Sequence, residues 1–170
     1  MLVLTASEGF ERFSVYGFSI EYPRDHRVEF NPKSRREGGD VVFHSPDRLK
    51  AFLSWGELEK ATKSFPTAEK QAEHSLDTIK KTRNVRNFDV ITQDRLTINA
   101  HEGVYSRVAL EEMSVGLIPG KKGRPQEAFS LHVHCPESSR YFVVYSMFLK
   151  DYAADYTKTL MTMATSLKCH

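Results

Sequence analysis

Hydrophobic and polar positions alternate most plainly between Ala128 and Cys135. Phe129, Leu131, Val133 and Cys135 are apolar, and Ser130, His132 and His134 between them are polar. A period of two puts these sets on opposite faces of a strand, one drier and one wetter. Pro136-Glu137-Ser138-Ser139 supplies turn residues. Tyr141 to Leu149 is then apolar at nearly every position. Such a strand is expected at the centre of a sheet, covered on both faces. A four-residue turn sets Cys135 opposite Arg140, His134 opposite Tyr141, His132 opposite Val143 and Ser130 opposite Tyr145. Paired residues share a face, so two imidazoles and two phenols are expected on one side. The period then changes. Tyr152, Tyr156, Leu160, Met163 and Leu167 form one helical stripe that must pack on the sheet.

The upstream pattern supplies the rest of that sheet. Phe10 to Tyr22 reads as two short strands broken at Gly17, and Pro23, which cannot donate to a ladder, ends the second. Val28 to Phe30 fits a short edge strand. Val41 to Phe43 and Leu49 to Trp55 flank the turn Ser45-Pro46-Asp47 as a hairpin, with Trp55 expected in the core or at a sheet edge rather than as a ligand platform. After a polar connection from Glu57 to Pro66, Thr67 caps a helix from Ala68 to about Thr82, with Ala68, Ala72, Leu76 and Ile79 as its apolar stripe. Lys80, Lys81 and Arg83 stand near its end, where cations complement the helix dipole. Phe88 to Ile98 is a long strand or a bent pair, and Val104 to Leu110 the next. Gly116 to Pro125 is a basic loop. Strands mostly follow one another directly, so the expected fold is α+β: a single, mainly antiparallel sheet flanked by helices, an αβα sandwich.

Three stretches carry a resemblance to a known family. Gly17-Phe18-Ser19-Ile20-Glu21-Tyr22-Pro23, the helix from Ala68 to Thr82 between strand pairs, and the ending Asp155-Tyr156 through Leu160 to Thr165-Ser166-Leu167-Lys168 resemble the PsbP-like family of αβα sandwiches. That family takes its name from an extrinsic subunit of photosystem II and includes a nuclear-import factor that binds a Ran-type GTPase. The resemblance runs from about Phe10 to Lys168. One departure is Asp25-His26, where members often carry a Trp shortly after the opening strand's Pro. The resemblance implies the fold and a non-catalytic binding or assembly role. It carries over no functional residue, since this family shares a scaffold more than a site.

Composition narrows the picture further. The 170 residues suit one globular domain, 1–170, with 1–9 expected as a loose leading segment. With 24 Lys and Arg against 22 Asp and Glu, the net charge of +2 marks no nucleic-acid or anionic-membrane partner. No stretch approaches the ~20 apolar residues that span a bilayer. The opening Met1 to Glu8 lacks the basic start of a secretory signal, so the expected compartment is the cytoplasm. Two cysteines, Cys135 and Cys169, are expected there as reduced thiols.

Candidate chemistry centres on His132 and His134. Residues two apart on a strand stand roughly 6.8 Å apart on one face. They can share Zn²⁺ or Cu²⁺ if a third ligand arrives, and Cys135 faces the other way. His101-Glu102 and Cys169-His170 carry further donors, but spacing alone does not bring them to the pair. Gly120-Lys121-Lys122 is no phosphate loop: three residues, not four, separate Gly116 from Gly120, and Lys122 stands where a Ser or Thr would hold Mg²⁺. No Gly-x-Ser-x-Gly elbow or nucleophile–base pair is present. The sequence therefore assigns no catalytic residue and no cofactor. The expectation is a binding module whose partner is another protein. Its candidate surface is Tyr141, Tyr145, Lys121, Lys122 and Arg124. The rival is a small-ligand or metal-binding protein, or a hydrolytic enzyme, using His132, His134 and Tyr145.

Overall fold

The computed structural model describes residues 9–113 and 123–170. Lys121, Lys122 and most of the basic loop, like the expected loose start, lie outside the described residues. Strands β1 (Phe10–Val15) and β2 (Phe18–Pro23) form a hairpin, followed by β3 (Arg27–Phe30), β4 (Gly38–His44) and β5 (Lys50–Glu57). Helices α1 (Leu58–Thr62) and α2 (Ala68–Lys80) lead to β6 (Val85–Ile98), β7 (His101–Glu112), β8 (Arg124–Cys135) and β9 (Arg140–Leu149). A 3₁₀ turn, Lys150–Tyr152, feeds α3 (Ala153–Thr165). The polar connection after Glu57 thus contains a short helix.

Seven strands form an antiparallel sheet in the order β3-β4-β5-β9-β8-β7-β6. The apolar strand β9 lies at its centre, as its composition requires. The turn after Cys135 sets the expected register: Cys135 pairs with Arg140, His134 with Tyr141, His132 with Val143 and Ser130 with Tyr145. β1 and β2 do not join this sheet but form a two-stranded one of their own. Their aromatic rings explain why. Phe13 meets Phe43 edge-on at 6.0 Å, and Phe18 lies 4.8 Å from Trp55 and 5.2 Å from Phe142. The hairpin therefore buries its rings against the sheet's face instead of extending its edge. Tyr16 and Gly17 both have positive φ, 50° and 80°, as a two-residue hairpin turn of matching twist demands.

The main core lies between one face of the large sheet and a layer made of the β1–β2 hairpin and α3. Ile20, Phe43, Leu53, Trp55, Leu131 and Phe142 are buried there. α3 contributes Tyr156, Leu160 and Met163, with Leu167 just beyond it. Tyr152, expected on this stripe, is exposed, because it ends the 3₁₀ turn before α-helical periodicity begins. Backbone hydrogen bonds between Ser19 and Lys168, 2.8 and 2.9 Å, tie the segment after α3 to β2.

On the other face lies α2, capped by Thr67, whose Oγ accepts from the Lys70 N–H at 3.2 Å. Ala68 and Ala72 pack on Val104, and Leu76 on Val108, Leu110 and Ala128. α2 covers only the β6–β7–β8 half. Tyr145 and Met147, on the second face of β9, remain 42% and 43% exposed. The central strand is apolar on both sides, yet one of its faces is only partly covered.

Candidate functional site

The histidine face is built as the sequence implies and then closed by α2. His132 is 2% exposed. Its Nε2 lies 3.1 Å from Ser75 Oγ, whose hydroxyl donates to the Gln71 carbonyl at 3.0 Å. That chain makes Nε2 the protonated nitrogen and leaves Nδ1 buried without a partner. Burial, helped by the charge of His134, holds the His132 pKa down to about 4. His134 is half-buried, its pKa also lowered by burial, and its Nε2 meets Gln71 Oε1 at 2.8 Å. Both imidazoles are thus engaged with α2. Among the described residues, neither belongs to a group of three metal-ligating side chains.

Beside this closed portion runs a groove of about 430 Å³ between α2 and the β5–β9 surface, bordered by His132, Tyr141 and Tyr145. The ring of Tyr141 lies over Gly56. A Cβ built on Gly56 would stand 2.6 Å from Tyr141 Cε1, so the missing side chain is what admits the ring. Tyr145 stacks on Phe52 across the β5–β9 ladder, 4.7 Å apart and 8° from parallel. Further along the face, Tyr145, Met147, Phe52 and Tyr152 share a second hollow of about 410 Å³ with Arg48, Lys50 and Arg124. Of the sequence-derived surface residues, Tyr145 and Arg124 meet in this hollow, and Tyr141 lies in the adjoining groove.

The other candidate donors gather on the opposite face, at one end of the sheet. His101 begins β7, Cys135 ends β8, and Cys169 and His170 follow α3. One ligand atom from each of the four lies within 4.8 Å of all the others. Cys135 Sγ is 3.6 Å from His101 Nε2 and 3.5 Å from His170 Nδ1, and Cys169 Sγ is 3.7 Å from His170 Nδ1. Asn99 Nδ2 stands 3.4 Å from Cys169 Sγ and 3.2 Å from His170 Nδ1. Glu137 Oε2 is 3.1 Å from His101 Nε2. Both thiols are free and fully buried, and burial pushes the Cys169 thiol up to about 12. A buried thiol with so high a pKa is a poor nucleophile.

Alternation along β8 reveals the face of Cys135 but not its company. His101 and His170 are 34 and 35 residues away from it, and no local spacing links them. The available signal was alternation: Cys135 shares its face with Arg140, and the chain after α3 must return along that end.

Together these features define a class of protein: an αβ sandwich on a mainly antiparallel sheet, one face sealed by a hairpin and a helix, the other half-covered. Solved structures place it more narrowly, in the PsbP-like fold. Cyanobacterial PsbP (CyanoP) from Synechocystis sp. PCC 6803 superposes with a TM-score of 0.61 over 100% of this chain and 98% of its own, at 13% identity. A Bacteroides thetaiotaomicron protein gives 0.58 at 13% identity, over 95% of this chain and 49% of its own. LpqN, involved in cell envelope biogenesis of Mycobacterium tuberculosis, gives 0.54 at 16% identity, over 89% and 82%. No family sequence model matches the chain, and no curated protein sequence does. Among the described residues, no helix is long and apolar enough to cross a membrane.

Proposed function

We propose that this protein is a non-catalytic binding or assembly module that engages another protein through the open half of its sheet. The observation that carries this reading is the exposed apolar surface on the central strand. Tyr145, Met147 and Tyr152 are among the exposed large hydrophobic residues of the described chain, and all three border one hollow. Phe52 forms its floor, and around it Arg48, Lys50 and Arg124 outweigh the single acid Asp47, so the rim is net basic. An apolar floor with a charged rim is the anatomy of a protein–protein interface. The rim's cations favour a partner segment that brings apolar side chains flanked by carboxylates.

The rival reading, a small-ligand, metal or hydrolytic site on His132, His134 and Tyr145, has less support. The two imidazoles spend their Nε2 atoms on α2, and His132 is held neutral beneath the helix. Two fully buried free thiols fit a reducing compartment, and we place the module in the cytoplasm on that ground. Site-specific photocrosslinking in cells of the native source tests the surface. A photoreactive residue at Met147 should capture a partner that one at Lys158, on α3 in the opposite layer, does not. Capture should be lost when Lys50 and Arg124 are changed to Glu. Equal labelling from both positions, or capture indifferent to the charge reversal, would count against this surface.

A further inference from the structure

We propose that His101, Cys135, Cys169 and His170 form a closed tetrahedral site for a divalent d¹⁰ cation, Zn²⁺ in particular. The site is independent of the open sheet surface and lies on the other side of the sheet.

The donor geometry is the first ground. Zn–S bonds of ~2.3 Å and Zn–N bonds of ~2.0–2.1 Å at tetrahedral angles imply sulfur–nitrogen edges of about 3.6 Å. The observed edges are 3.5, 3.6 and 3.7 Å, with all four donor atoms mutually within 4.8 Å. Two sulfurs and two imidazole nitrogens are also the ligand set of structural zinc, and four protein ligands leave no open position for chemistry.

The surroundings are the second ground. Arg140 is buried at 3% exposure and pairs directly with Cys135 in the β8–β9 ladder, so the two share a face. Its guanidinium lies 5.3 Å from the ring centroids of both Phe18 and Phe142, while Nε and Nη1 have no hydrogen-bond partner. A buried cation with idle donors beside two thiols favours thiolate sulfur as its acceptor. Asn99 Nδ2, 3.4 Å from Cys169 Sγ, offers a second N–H to thiolate. On metal binding each thiol releases its proton to solvent. His101 Nε2 gives up its proton to solvent along with its contact with the exposed Glu137 carboxylate, the ring keeps a proton on Nδ1, and the freed Nε2 lone pair takes the metal. Two thiolates then neutralise the ion.

The mechanical consequence follows from where the ligands sit. They come from the starts or ends of three separate pieces: β7, β8 and the segment after α3. The ion would staple α3's exit to the end of the sheet, across a closure of 69 residues from His101 to His170. Binding would therefore stabilise the fold and couple metal loading to the docking of α3.

Cobalt titration of the full chain, stripped with chelator and kept reduced, is the test. We expect one equivalent of Co²⁺ to produce thiolate-to-cobalt charge-transfer absorption and the intense visible bands of a tetrahedral S₂N₂ site, bleached by one equivalent of Zn²⁺. His170→Ala removes an exposed side chain, and His101→Ala a largely buried one at the start of β7. Each should weaken binding at least tenfold, and Cys169→Ser should at least halve the charge-transfer band by removing one of the two thiolates. The double variant of His132→Ala and His134→Ala should titrate like wild type. The absence of a thiolate–cobalt band in the reduced, folded wild type would overturn the proposal. So would a band unaffected by His101→Ala and His170→Ala together. So would an intact mass two hydrogens light, a Cys135–Cys169 disulfide, in a chain that takes up no metal after reduction.

Discussion

Acid should weaken this fold through His132 in a defined window. Burial lowers its pKa from the ordinary 6.5 to about 4. The unfolded chain therefore binds a proton at pH values where the folded chain does not. Stability rises with pH wherever the unfolded state holds more protons, so the sign is fixed: the His132 contribution is complete above about 6.5, falls between 6.5 and 4, and is fully lost below. At ~1.4 kcal/mol per unit, the shift amounts to about 3 kcal/mol. That is a large part of the ~5–15 kcal/mol that holds a domain together. The assay is urea denaturation of wild type and His132→Gln at several pH values from 7 to 4.5. Gln keeps a donor for Ser75 Oγ but does not titrate. The variant should lose less stability on acidification, and the two curves should converge from pH 7 downward. Carboxylates titrate in both chains and cancel. Parallel curves, or an NMR titration placing the His132 pKa near 6.5, would refute the reasoning.

Three further expectations follow from packing and backbone geometry. Phe148 is 4% exposed and meets Tyr156 edge-on at 5.3 Å, so Phe148→Ala should cost ~3–5 kcal/mol in chemical denaturation. Gly56→Ala pushes a methyl against the Tyr141 ring; it should destabilise by about 1–3 kcal/mol in wild type and much less in a Tyr141→Ala background, a coupling read from a double-mutant cycle. Ala100 closes the β6–β7 hairpin at φ 66°, a conformation that costs a side-chain-bearing residue ~1–2 kcal/mol, so Ala100→Gly should raise the melting temperature.

How much of this was legible in the sequence depends on the range of the interaction involved. The β8–β9 register could be read residue by residue because a four-residue turn and strict alternation fix it locally. The central place of β9 followed from an apolar run interrupted only at Ser146. Tyr152 was misplaced because a stripe drawn at helical spacing cannot reveal a 3₁₀ entry turn. The separate β1–β2 sheet was hidden because Phe13 and Phe18 look the same whether their strand extends an edge or lies over a face. His132 and His134 were found, but their closure under Ser75 and Gln71 is a contact across 57 and 63 residues. The thiol–imidazole cluster joins chain segments that no short motif connects.

The strand order also bears on how the chain reaches this state. β3–β4–β5 and β6–β7–β8–β9 are two meanders whose partners are neighbours in sequence, so each can zip quickly. β5 and β9 meet only across the whole α1–α2–β8 span, with Phe52 finding Tyr145 and Glu57 finding Arg140. That seam is the non-local pairing of the large sheet, and closing so long a loop is slow. Until it closes, both meanders present a bare apolar edge, the geometry most open to pairing with another chain. Variants that weaken the seam should thus show themselves first as slow folding and poor recovery of soluble protein, before any loss in the equilibrium stability of the finished sheet.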